Sequence, residues 1–320
     1  MYEFHLWGSG NRASVLSAES IALQWLLCHY LNDTDIEFTI VYSNNADNSP
    51  TRELPLMVDL SSGQKTASYR DISKRLVSLR GGNEKQTLLQ EALLQYVISD
   101  VNKLTEYQLY VNKRNFEELT RNLYSQLLYW PLWNIVPSQK RNEVMLRIEN
   151  WIGDVPDGNG EISTYEDVTI EEVDAKQSEA VENMAQSKTF AIKNAAARKQ
   201  REELQNIKHN ATFLYRVNAV YKKYTEISSQ LKNSDSMHTS VVKLLFLANV
   251  FIWSQLPNYK EIKTHLLKDV DVDKNEYEKL FDKIESLNSG TKSGITIRKP
   301  YFKEQCNIIM TLYNYIASYI

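Results

Sequence analysis

LPLMVDLSSGQKTASYRDISKRLVSL, residues Leu54 to Leu79, decides how the N-terminal part of this chain is read. Leu54-Pro55-Leu56-Met57-Val58 is a short apolar strand that contains a proline. Proline offers a sheet no N–H, so it belongs at a strand start, on an edge, or in a special turn. Ser61-Ser62-Gly63 reads as a turn and Lys65-Thr66-Ala67 as a second short strand. Ser68 is then placed to cap a helix. Its hydroxyl can accept a first-turn N–H, and Asp71, three residues on, can reach back to complete a capping box. Ile72, Leu76 and Leu79 follow at helical spacing.

This order of strand with proline, turn, strand and capped helix resembles the second half of a thioredoxin-like domain, as found in glutathione transferases, where the proline is cis. The resemblance predicts a cis Leu54–Pro55 bond, a conformer uncommon enough to mark a definite structural feature. The alternative is that Pro55 merely starts an edge strand. Upstream, Glu3 to Trp7 alternates as a strand and ends at Gly8-Ser9-Gly10. Ser17 is placed to cap a helix with the stripe Ile21, Trp25, Cys28 and Leu31, widened by Leu23, Leu26 and Leu27. A helix apolar over so much of its surface packs against a sheet. Ile36 to Tyr42 is the next strand and Ser43 to Thr51 a polar loop.

A chain of 320 residues suggests two domains. Its net charge of −3 provides no overall basic field to recruit nucleic acid or anionic lipid. The two cysteines, Cys28 and Cys306, lie far apart, each in an apolar helical pattern. They form no disulfide framework or zinc spacing and read as buried thiols of a reducing compartment. The N-terminus has neither the basic and apolar regions of a signal peptide nor an arginine-rich transit pattern. Val241 to Leu256 is the most apolar run, but it is shorter than the ~20 residues of a spanning helix and carries Lys243, so a buried core helix is expected. The C-terminal NIIMTLYNYIASYI fails the same length test.

The character of the chain changes at Gly81-Gly82-Asn83, a linker. Residues 1–80 are expected to form the α/β domain and 84–320 an all-helical one. Helical spacing runs from Leu88 to Tyr110 through Leu89, Ala92, Leu93, Tyr96, Val97, Val101, Leu104 and Leu109. A second helix covers about Phe116 to Tyr129, where Tyr129-Trp130-Pro131-Leu132-Trp133 interrupts it and Pro131 is a helix stop. Between Asp154 and Glu182 there are ten acidic residues and one basic, Lys176. The first part of this region, about residues 153–168, is expected to be a mobile acidic loop. A helix follows from Ile170, acidic at its start and basic from Lys188 to Arg201, as a helix dipole favours. Leu204, Ile207, Ala211, Leu214, Val217, Tyr221, Tyr224, Ile227 and Leu231 form an amphipathic stripe. A turn at Asn233 to Ser236, the core helix, two shorter helices near Tyr259–Leu267 and Lys274–Leu287, a loop at Ser289–Ser293 and a final helix from Tyr301 to Ile320 complete the reading.

Chemistry-bearing motifs are sparse. In glutathione transferases the activating group follows the first strand, where this chain offers only Ser9, Ser14 and Ser17, which also suit turns and caps. Those enzymes usually place an acidic residue or glutamine before the capping serine, and here Ala67 precedes Ser68. A glutathione-like site at Pro55 and Ser68 therefore lacks its second clasp, although a helix start can still take a carboxylate. The histidines His5, His29, His209, His238 and His265 are scattered, with no partner at metal spacing in the sequence. No phosphate-binding glycine loop or nucleophile elbow occurs. Tyr129, Trp130 and Trp133 can be an aromatic anchor at a membrane surface, a partner hot spot, or core at a helix corner.

Several stretches together resemble one family: LWGSGNRASVLSAESIALQW (Leu6–Trp25), LPLMVD (Leu54–Asp59), LTEYQLYVN (Leu104–Asn112), LLYWPLW (Leu127–Trp133), AQSKTF (Ala185–Phe190), LLFLANVFIWSQLP (Leu244–Pro257) and NIIMTLYNYIASYI (Asn307–Ile320). They are similar to the metaxin family, and above all to its fungal members in the mitochondrial outer-membrane sorting and assembly machinery. The resemblance implies a mostly helical α+β, glutathione-transferase-like fold without catalysis or cofactor. It also implies a place on the cytosolic face of the outer membrane, beside a β-barrel insertase and a second metaxin-like subunit, with links to the general import translocase and to β-barrel precursors. A glutathione-binding transferase-like enzyme is the alternative.

Overall fold

The computed structural model describes residues 1–31, 36–80, 88–152, 188–230, 237–268, 274–289 and 295–306. The expected linker at Gly81, the acidic loop at 153–168, the helix start at Ile170, the turn at Asn233 and the C-terminal residues 307–320 lie outside these.

β1 (Tyr2–Ser9) and β2 (Arg12–Ala13) form a tight hairpin. Gly8 is required there, because a Cβ would stand 2.2 Å from the Arg12 carbonyl oxygen. Ser17 caps α1 (Ala18–Leu26) as predicted, accepting the Ser20 N–H, and the helix runs on as a π-turn over Leu27–Leu31. β3 (Phe38–Ser43), β4 (Leu56–Asp59), β5 (Lys65–Ala67) and α2 (Tyr69–Leu79) follow. Strand order is β5-β4-β1-β3, with β3 parallel and β4 antiparallel to β1. Phe4 is paired with Ile40 on one side and Met57 on the other, and all three are fully buried. This is the thioredoxin-like topology, and the Leu54–Pro55 bond is cis.

Among the described residues the remainder is helical with one exception. α3 (Leu88–Tyr96), α4 (Asn102–Glu106), α5 (Lys113–Asn115) and α6 (Arg121–Leu127) alternate with π-segments at Val97–Val101, Tyr107–Val111 and Phe116–Thr120. Pro131 is expected from the sequence to stop a helix. Instead α6 ends earlier, at Leu127, the Trp130–Pro131 bond is cis, and Pro131 opens a new helix. Its carbonyl accepts the Asn134 N–H at 3.1 Å at the start of α7 (Leu132–Ile152). Proline suits a helix start because no intrahelical N–H is required there.

α8 (Lys188–Gln230) buries Phe213, Val217, Val220 and Tyr224, but Leu204 and Ile207, expected in its apolar stripe, are exposed. Asn210, Leu214 and Asn218, which hydrogen-bond α8 to the body, lie C-terminal to those two side chains. α9 (Met237–Ser254) is the expected core helix. Among the described residues it is the one helix long and apolar enough to cross a membrane, yet 67% of it is buried inside the fold. It packs on α1, with Trp25 edge-on to Phe251 at 5.9 Å and the Tyr69 hydroxyl donating to the Val241 carbonyl at 2.8 Å. The sheet-bearing and helical regions thus share one core. α10 (Tyr259–Lys268) and α11 (Lys274–Ser289) follow.

The exception is β6 (Thr296–Arg298), which the sequence reading misses. It returns to the sheet and pairs parallel with β3, extending the order to β5-β4-β1-β3-β6. Arg298 reaches over β3 to Glu3 at 3.0 Å and also binds Glu304 at 2.8 Å. The helix expected from Tyr301 is, over its described residues, a single 3-10 turn at Phe302–Glu304. Glu304 holds that turn by accepting the Tyr301 N–H at 2.7 Å. Cys306 is accordingly not helical and only partly buried, whereas Cys28 is buried, which pushes its thiol up to about 11.

Candidate functional site

A cavity of about 250 Å³ opens where the start of α1, the loop before Pro55, α4, α7 and α9 converge. Ser17, Ala18 and Glu19 supply one wall, and Arg52, Glu53 and Leu54 another. Trp7, Tyr110 and Tyr124 close it, with the two tyrosine hydroxyls 3.0 Å apart. Its polar floor is a chain of neutral groups. The Trp253 indole N–H donates to Thr105 Oγ1 at 2.8 Å, the Thr105 hydroxyl donates to Asn249 Oδ1, and the Asn249 amide donates to Asn102 Oδ1 at 2.8 Å. Asn102 in turn offers its amide to Glu19 Oε1 at 3.4 Å.

The carboxylates around this cavity differ in their partners. Glu53 binds Lys140 at 3.3 Å, and Glu106 is paired with Arg147. Glu19 lies at the N-terminus of its own helix and accepts the Tyr69 N–H of α2 at 3.2 Å. Burial pushes Glu19 up to about 7, with Glu53 and Glu106 adding to the rise and the Tyr69 hydrogen bond opposing it. Burial also raises Glu106, against the pull of Arg147 and Lys140.

Pro55 and Ser68 flank this cavity but line neither wall. Ser68 caps α2 at φ 73°, accepting the Asp71 N–H at 3.3 Å and placing its hydroxyl 3.4 Å from Asp71 Oδ2. Asp71 thus returns to the Ser68 hydroxyl. The next backbone N–H, that of Tyr69, is taken by Glu19. A carboxylate from this chain therefore occupies the anion-accepting start of α2. Ser14 and Ser17 serve the loop and the α1 cap by accepting the Leu16 and Ser20 N–H groups.

The aromatic corner is divided. Tyr129 and Trp130 are 61% and 72% exposed, while Trp133 is partly buried against the core. Asn44 fixes the corner by donating to the Leu127 carbonyl and accepting the Cys306 N–H at 2.9 Å. This brings the turn carrying exposed Tyr301 and Phe302 to the same end of β3 as Leu127.

His5 does meet carboxylates, contrary to the sequence reading. Glu3, His5 and Glu304 bring one donor atom each within 4.8 Å of one another. The residues are brought together by β1 and the C-terminal return, which linear spacing does not reveal. Arg298 already stands between the two carboxylates as their cation. Burial lowers the His5 pKa, against the nearby glutamates. Glu19 and the β6 return carry no distinctive sequence signal: an acidic residue in a first helical turn is commonplace, and a three-residue strand has no readable period.

A thioredoxin-like sheet followed by a helical region that packs into the same core defines a protein of the glutathione-transferase-like class. The family described as "Outer mitochondrial membrane transport complex protein" matches residues 20–141, and that described as "Tom37 C-terminal domain" matches residues 164–319. The chain belongs to the Tom37 (metaxin) family and is an outer mitochondrial membrane transport complex protein. No curated protein matches it significantly in sequence.

Proposed function

We propose that this chain is a non-catalytic, peripheral subunit of the β-barrel sorting and assembly machinery on the cytosolic face of the outer membrane. There it stabilises the complex and supports insertion and release of β-barrel precursors. The observation that carries this reading is the pair of family matches, one over residues 20–141 and one over residues 164–319. In this reading residues 1–80, completed by β6, and residues 84–320 are its two structural units. A β-barrel insertase and a second metaxin-like subunit are its standing partners, and the general import translocase is a further one.

Tyr129, Trp130 and Trp133 are the partner-binding residues of this proposal. Two large aromatic side chains held open to solvent at a rigid corner are the kind of anchor that dominates interfaces. The glutathione-dependent alternative is weakened by Glu19. A ligand carboxylate at the start of α2 meets a carboxylate already there, and no cation among the described residues pairs with it.

A tagged pull-down from gently solubilised mitochondria tests the assignment. Recovery of a β-barrel insertase in near-equal amount supports it, and recovery of no membrane partner rejects it. Measurable glutathione affinity, abolished by Ser68→Ala, would instead favour the enzyme.

A further inference from the structure

The fold leaves one cavity carboxylate without a counter-charge. Glu53 has Lys140, and Glu106 has Arg147. Glu19 has only neutral donors, the Tyr69 N–H and the Asn102 amide. Among the described residues no lysine, arginine or histidine stands within ion-pair distance of it. A carboxylate withdrawn from water without a cation is costly, and a cation delivered to it is correspondingly favoured.

The surroundings suit such a visitor. Asn102 is held by Asn249, which is itself fully buried, so the amide beside Glu19 is fixed in place. The Tyr110 and Tyr124 hydroxyls retain acceptor lone pairs after bonding each other. Trp7 brings an aromatic ring to the wall, and Leu16, Leu54 and Leu109 provide apolar surface for a stem. A volume of about 250 Å³ equals roughly eight water-sized volumes of ~30 Å³, enough for a cationic head and four carbons. Arg52 and Lys140 also line the cavity, but Lys140 is engaged by Glu53, so the carboxylate left to oppose an anionic ligand and attract a cation is Glu19.

We propose that this cavity binds an organic monocation, an ammonium or guanidinium group on a short alkyl stem, with Glu19 as its counter-ion. The head group comes from a free amine or from a lysine or arginine side chain of a partner protein. The proposal goes beyond the assignment to a transport complex and stands independently of it.

The test uses the purified 320-residue chain at pH 8. n-Butylammonium and n-butylguanidinium chloride are titrated at millimolar concentration, with n-butanol and sodium butyrate as uncharged and anionic controls. A saturable rise in Tm with the cations, absent with the controls and with sodium chloride, is expected. Glu19→Gln keeps an acceptor for the Tyr69 N–H but removes the charge, and weakens binding at least about tenfold, as loss of a charge-assisted hydrogen bond does. The exposed Glu118→Gln, which touches no residue of the cavity wall, leaves binding unchanged. In the unaltered chain, the carboxyl carbon of Glu19 shifts in the NMR spectrum as the cation is added, a readout that needs no variant. Tighter binding of acetyl-Gly-Arg-Gly-amide than of n-butylguanidinium assigns the site to a partner side chain, and the reverse order to a free amine. Cations that act no better than sodium chloride, an unmoved Glu19 signal, or full-strength binding by Glu19→Gln overturns the proposal.

Discussion

The carboxylate of Glu19, in the first turn of α1, accepts the backbone N–H of Tyr69, the first residue of α2, at 3.2 Å. This contact joins two helix starts on the same side of the cavity. It places a negative charge where a glutathione-binding relative of the fold would receive a ligand, and it makes the stability of the chain depend on pH.

Glu19 titrates near 7 in the folded chain, against 4.5 for an ordinary glutamate. Between those values the folded state retains a proton that the unfolded state has released. Its contribution is therefore fully present below pH 4.5 and is lost as pH rises through about 7. Glu106, also raised by burial, adds a slope of the same sign. Glu19→Gln is expected to flatten the dependence and to exceed the unaltered chain in stability at pH 8 by about 1 kcal/mol, allowing for solvent at the cavity mouth. Urea unfolding at pH 4.5, 6 and 8 measures this; equal slopes for the two proteins would contradict it.

Asn249 is fully buried and links Thr105 to Asn102. Asn249→Ala strands the Asn102 carbonyl oxygen and removes the support of the Glu19 wall. The expected cost is about 2 kcal/mol, the penalty of unsatisfied buried polar groups. A lower urea midpoint with an unchanged m-value is the outcome to look for.

Arg298 joins β6 to Glu3 of β1 and to the Glu304 turn. Removing it leaves two partly buried carboxylates facing each other and a strand of three residues held by its ladder alone. Arg298→Met is expected to cost about 1–2 kcal/mol. It also speeds hydrogen exchange at Thr296 to Arg298, while the amides of β1 and β4 keep their protection.

Trp130 and Trp25 provide opposite cases. Trp25 is fully buried between α1 and α9, so Trp25→Ala is expected to destabilise by about 3–5 kcal/mol. Trp130 is exposed, so Trp130→Ala changes stability by less than about 0.5 kcal/mol. If the corner is a partner anchor, the same change lowers recovery of membrane partners in the pull-down. Unchanged recovery with the Tyr129→Ala, Trp130→Ala double variant would remove this surface from the proposed function.

The elements legible in the chain are those written locally. Ser17 and Ser68 lie beside the N–H groups they cap, Pro55 sits within a few residues of the strand it introduces, and α9 carries its own apolar run. Short-range geometry and burial pattern are enough for each. β6, the cis Trp130–Pro131 corner, the exposure of Leu204 and Ile207 and the Glu3–His5–Glu304–Arg298 cluster were not legible in this way. The cavity belongs with them, because Glu19, Glu53, Asn102 and Asn249 meet only after α1, the loop before Pro55, α4 and α9 pack together. The hydrophobic pattern that drives this packing is non-directional. It selects which faces are buried and leaves the pairing of polar groups between distant segments to the closed geometry of the fold.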